Sequence, residues 1–241
     1  MASPEHTDGG HLLTRDPRHG PLPALLLLLT IVTGLVDAVS ILRLGRVFVA
    51  NMTGNVVFTG FALVGAPGFS LSASLSALGG FLAGAALCGE LIRRIPGDRA
   101  RLLLAGAAGE LILTAAALAV TASVTVLSGP WRDFVAAVLA LAMGVQNGVA
   151  RQLAVPDLTT TVLTMTLTGI AADLNAGHGT AVARRLLAVL TMLAGAVAGA
   201  LLVLHVSTAA ALAAATGLLL AVTIGAAAGN RRAAPWRSDQ R

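Results

Sequence analysis

Long apolar runs separated by short polar connections set the pattern of this chain. Eight runs stand out, at 24–44, 47–64, 71–92, 102–128, 134–150, 158–174, 186–206 and 209–229. A helix that crosses a bilayer needs about 20 mostly apolar residues, and six of the runs are long enough. The second and sixth, 47–64 and 158–174, are shorter and interrupted by polar clusters. They predict re-entrant or half-membrane segments. The expected fold class is therefore an all-α polytopic membrane protein with about six transmembrane helices and two short interrupted segments.

The polar interruptions repeat. Gly34-Leu35-Val36-Asp37 leads into Asn51-Met52-Thr53-Gly54-Asn55, and Gly144-Val145-Gln146-Asn147 leads into a Thr-rich stretch with Thr159, Thr160, Thr161, Thr164, Thr166 and Thr168. A Gly-x-x-x-Gly follows in each case, at Gly80/Gly84 and Gly195/Gly199. Weak internal symmetry with polar breaks in corresponding places points to a transporter-like membrane fold. Three spans per half force the halves into opposite orientations, an inverted 3+3 repeat. The expected organisation is a disordered cytoplasmic tail at 1–22, a first membrane repeat at 23–129, a second at 130–229 and a cytoplasmic Arg-rich tail at 230–241.

Composition supports the membrane class, with 56% hydrophobic and 11% charged residues against about 25% charged in soluble domains. All sixteen basic residues are Arg, and their placement selects the topology. With two half-membrane segments and a cytoplasmic N-terminus, only Arg43, Arg46 and Arg132 fall outside, which obeys the positive-inside tendency. A multi-pass protein of the bacterial cytoplasmic membrane, with both termini cytoplasmic, is the expectation. The net charge of +5 is scattered over connections, without the basic stripe of a nucleic-acid interface. The single cysteine, Cys88, excludes a disulfide framework. No His or Cys spacing predicts a metal site, and no cofactor is expected.

Several polar residues are candidates for chemistry. Asp37 and Glu110 are carboxyls inside spans, where burial of charge costs about 2.5–3.5 kcal/mol on insertion scales, so they are candidates for proton coupling. Asp37 could equally serve as an interhelical hydrogen-bonding group. Asn51, Thr53, Gly54, Asn55, Gln146, Asn147, Thr160 and Thr164 are candidates for substrate contact. Polar backbone at membrane depth is tolerated where protein covers it or where it lines a cavity. The bland alternative is that these residues are packing glue between helices. Asp157 and Pro156 read as a helix start that would favour an anionic group.

The residues Gly34 to Asp37, Phe48-Val49-Ala50-Asn51-Met52-Thr53-Gly54-Asn55 and Ala142-Met143-Gly144-Val145-Gln146-Asn147-Gly148 resemble the YoaK-like family of bacterial inner-membrane proteins. The likeness covers roughly residues 24–229, and the Asn-Met-Thr-Gly-Asn motif is its most specific part. The resemblance implies six spans and carries no established activity. It departs from the family pattern at Thr164-Met165, where a Thr-Gly pair is expected. The leading expectation is a non-enzymatic secondary transporter of a small polar or anionic solute, proton-coupled, with its site between the repeats. The alternative is a channel or a non-transporting homodimeric scaffold whose Gly seams form the oligomer face.

Overall fold

The computed structural model describes residues 19–124, 126–155, 163–176, 179–231 and 236. They form eight helices: α1 (Leu22–Arg43), α2 (Met52–Leu63), α3 (Leu71–Arg94), α4 (Arg99–Ser123), α5 (Gly129–Leu153), α6 (Leu163–Ala176), α7 (Gly179–His205) and α8 (Thr208–Asn230). Six are long and apolar enough to cross a membrane, and α2 and α6 are the short ones.

Local chemistry sets the boundaries. Proline sits in the first turn of α1 and of α5, where its missing N–H has no intrahelical role. Helix α5 accordingly begins at Gly129, ahead of the apolar run that announced it. Ser70, Asp98 and Ser207 cap α3, α4 and α8 by accepting from the backbone N–H three residues on, at 3.3, 2.9 and 3.0 Å.

Glycines set the pairing. A Cβ at Gly195 would overlap the carbonyl of Ile31, and one at Gly199 would press on Leu35 and Ala38. Helices α1 and α7 therefore run parallel at close backbone approach. A Cβ at Gly80 would overlap the carbonyl of Ala137, and one at Gly84 that of Leu141, so α3 and α5 are likewise parallel. Gly106 of α4 meets Val149 of α5, and Arg99 donates to the Leu153 carbonyl, which makes that pair antiparallel. Gly225 meets Leu25 and Gly229 meets Pro21 just ahead of α1, so α8 is antiparallel to α1.

These directions define two faces. The distal face carries the ends of α1, α4 and α7 and the starts of α3, α5 and α8. The proximal face carries the opposite ends. Because α1 ends and α3 begins on the distal face, α2 enters and leaves on that side. By the same reasoning α6, between the end of α5 and the start of α7, enters and leaves on the proximal side. The short apolar runs are thus half-membrane elements.

Helices α1 and α5 are central, with 72% and 61% of their apolar windows buried. Helices α3 and α7 are peripheral at 17% and 22%, and α4 and α8 lie between at 33% each. The contacts follow the same pairing. Gly34 packs on Met192 and Ala196, and Gly144 packs on Phe81 and Ala85. Ala38 meets Gly199, and Gly148 meets Cys88. In each case the second contact equals the first with residue numbers shifted by 110 or 111. By this measure Gly84 corresponds to Gly195 and Cys88 to Gly199, one helical turn away from the pairing of the two Gly-x-x-x-Gly motifs. All four of those glycines are covered within one chain, so the seams are not free to act as oligomer faces.

Candidate functional site

The segment between α1 and α2 is built around Asp37. Gly45 at φ +88° and Arg46 at φ +56° reverse the chain after α1, a left-handed pair that glycine makes accessible. The following residues run back along α1. The Asp37 carboxylate accepts from the backbone N–H of Val49 at 3.3 Å and of Ala50 at 3.4 Å. Asp37 lies six residues before the end of α1, so the segment dips about 9 Å below that end at 1.5 Å per residue.

Asn55 completes the turn. Its Oδ1 accepts from the Phe48 N–H at 2.8 Å, while its Nδ2 donates to the Phe48 carbonyl and to the Met52 sulfur. The amide thus pairs both backbone groups of one extended residue, as a neighbouring strand would. Gly54 makes room for Phe48, whose ring carbons would lie 2.5 and 2.7 Å from a Cβ there. The Phe48 ring stacks on Phe58, which packs in turn on Phe61 and Phe69. The most specific motif of the sequence is therefore a clasp. Asn55 is fully buried and its amide is committed to the chain itself, whereas Asn51 and Thr53 are exposed beside it.

The second half places its polar residues differently. Gln146, buried at the centre of the bundle, donates through Nε2 to Thr33 Oγ1 at 2.8 Å. Its Oε1 has no hydrogen-bond partner among the described residues. Asn147 donates to the Met143 carbonyl one turn back, at 2.8 Å. Thr164 is exposed on α6. Thr160, with Pro156, Asp157, Thr159 and Thr161, lies outside the described residues. Glu110 is buried in the middle of α4, and its Oε1 has no partner among the described residues.

The structure thus gathers Asp37, Gly54 and Asn55 into one unit beneath the distal face, with Asn51 and Thr53 on its rim. It sets Gln146 against Thr33 in the core. It does not bring the α2 and α6 clusters together, because α2 packs on α3 at the distal side and α6 packs on α7 at the proximal side. Sequence reasoning missed Phe48 and Thr33, the partners that explain Asn55 and Gln146. Phe48 was visible as an aromatic seven residues before Asn55, and Thr33 carried no signal.

The family described as a protein of unknown function (DUF1275) matches residues 25–225. The chain belongs to that family. The UPF0700 transmembrane protein YoaK of Bacillus subtilis (strain 168) is 34% identical over 158 residues, spanning 63% of this chain and 66% of the relative, just under two thirds of its length. No solved structure matches. A DUF1275 protein with six apolar helices of spanning length is a multi-pass membrane protein.

Proposed function

We propose that this DUF1275 protein is a secondary transporter of a small polar or anionic solute, built from two inverted copies of a three-span unit. The observation that carries this reading is the recurrence of the interhelical contacts around Gly34 at Gly144, shifted by 110 and 111 residues. The half-membrane helices α2 and α6 then occupy corresponding places on opposite faces. Inverted units with interrupted segments support alternating access by motion of one unit against the other. Eight of the eleven described Arg, from Arg93 to Arg231, lie on the proximal face. The positive-inside tendency makes that face, and both termini, cytoplasmic.

In this reading Asn51 and Thr53 contact solute from the distal side, and Thr164 from the proximal side. Gly54 and Asn55 hold the shape of the distal segment, and Gln146 and Asn147 complete the polar shell in the core. Asp37 couples a proton to movement. As a carboxylate it accepts from Val49 and Ala50, and on protonation it is a poorer acceptor and loosens its hold on the segment.

Proteoliposomes on a solid support test the reading. Currents would be recorded on pulses of small monocarboxylates, amino acids and inorganic phosphate, with and without a pH gradient. The expected result is a saturable current for one class, lost in Asn51→Ala/Thr53→Val and made insensitive to the pH gradient in Asp37→Asn. Currents in the double variant equal to wild type would end the assignment of the site. Single cysteines at Ala66 and Thr180 in a Cys88→Ser background test the topology, and labelling of both from one side would remove the inverted arrangement.

A further inference from the structure

We infer that Glu110 is a proton-binding site at the middle of the membrane, reached from the distal face through the hydroxyls of Thr121 and Thr114. The inference deepens the transport reading and rests on it only for the use made of the proton.

Glu110 is 1% exposed and sits twelve residues into the 25-residue α4. Its Oε1 meets no donor among the described residues. No cation of a packed helix reaches this depth. Arg99 and Arg101 lie at the proximal end of α4, Arg151 at that of α5, and Arg93 and Arg94, with Glu90, at that of α3. Arg132 and Asp133 lie at the distal end of α5, Cys88 is buried on α3, and α8 carries no titratable group. An ionised carboxylate here would be buried without compensation, which is strongly unfavourable. The neutral acid is the form that this site accommodates.

Thr114 and Thr121 share the inward face of α4 with Glu110, four and eleven residues on. Both are buried, and neither Oγ1 has a partner among the described residues. That is unusual within this molecule. Thr30, Thr33, Thr59, Thr168, Thr191, Thr216 and Thr223 all donate to the carbonyl one turn back, the ordinary way for a helical hydroxyl to be satisfied in an apolar setting. Among the described buried threonines, the two left without a partner are those above Glu110, with the small Ala117 between them.

The row leads to an opening. A cavity of about 490 Å³ at the distal face is lined by Thr121, Arg43, Leu127, Ser207 and Thr208 among others. At the inner end, the contact of Gly106 with Val149 places Glu110, one turn further along α4, near the level of Val145 and Gln146 on the antiparallel α5. The unpartnered Oε1 of Gln146 is an acceptor for a carboxylic O–H there. The other half argues against a packing role. Counting from the caps Asp98 and Ser207, the α8 position matching Glu110 is Leu219, which is fully buried. Packing at such a position is met by leucine.

Dicyclohexylcarbodiimide adds across the O–H of a protonated carboxyl in an apolar site and leaves an adduct that mass spectrometry locates. The expected result on protein in liposomes is an adduct on Glu110, absent in Glu110→Gln. Its rate should fall about tenfold for each pH unit beyond the titration midpoint of the acid. In a Cys88→Ser background, Thr121→Cys should react with a small charged methanethiosulfonate added on the distal side alone. No adduct on Glu110 at any pH, or a rate indifferent to pH, overturns the proton site. An unreactive Thr121→Cys overturns the route. Should Glu110→Gln fail to fold, Glu110→Leu, matching Leu219, replaces it as the control, and a misfolded Glu110→Leu also overturns the inference. Neither arm reads uptake, so a failed transport assay leaves this result standing, and the reverse holds as well.

Discussion

The two short helices, α2 and α6, are held by different chemistry. Helix α2 is fastened by a backbone clasp at Phe48, a carboxylate on Val49 and Ala50, and four stacked or tilted phenylalanines. Helix α6 has no aromatic residue. It is tied to α7 by an ion pair of Asp173 with Arg185 at 2.8 Å, the guanidinium lying over Gly169. Apolar and backbone contacts respond little to ions, whereas a partly exposed ion pair weakens as salt screens it. One short helix thus has a fixed fastening and the other a charge-dependent one.

The largest effect should fall on both halves alike. Gly84→Leu and Gly195→Leu each force a side chain into a neighbouring backbone carbonyl and should lower stability by about 3 kcal/mol or more. Thermal unfolding in detergent reads this, and a variant that unfolds like wild type would break the correspondence of Gly84 with Gly195.

Asn55→Ala comes next and separates the halves. It leaves the N–H and C=O of Phe48 unpaired, at about 1–3 kcal/mol for each buried group. Hydrogen exchange should accelerate across residues 47–51 while α6 keeps its wild-type rate. Arg185→Gln should cost about 1 kcal/mol and speed exchange in α6 alone.

The smallest effect is the sharpest discriminator. Raising salt should increase thiol labelling of Thr164→Cys by about twofold, a shift of a few tenths of a kcal/mol, and leave Thr53→Cys unchanged. Equal salt responses at the two positions would mean that the ion pair does not govern α6.

Much of this fold was legible in the sequence. Apolar run length marked the six helices long enough to span, and polar interruption marked the shorter α2 and α6. The register of the small residues was not legible. Residues spaced by four recur every helical turn, so Gly80/Gly84 can be aligned with Gly195/Gly199 or shifted by one turn, and only the contacts choose. The site was less legible. A polar side chain in an apolar segment needs a partner, and the sequence does not say whether that partner is a solute or the chain's own backbone. Asn55 and Gly54 found theirs in Phe48. For Glu110, sequence placed a carboxyl in a span but could not tell that the hydroxyls above it would be left open.

Cys88 is buried with its sulfur pressed against Gly148 between α3 and α5. A thiol so placed reacts only when those two helices part. Since it is the sole thiol of the chain, the unmodified protein carries its own clock. The rate at which a small alkylating reagent reaches Cys88 counts how often the α3–α5 seam opens, and adding a solute that favours one arrangement should change that count.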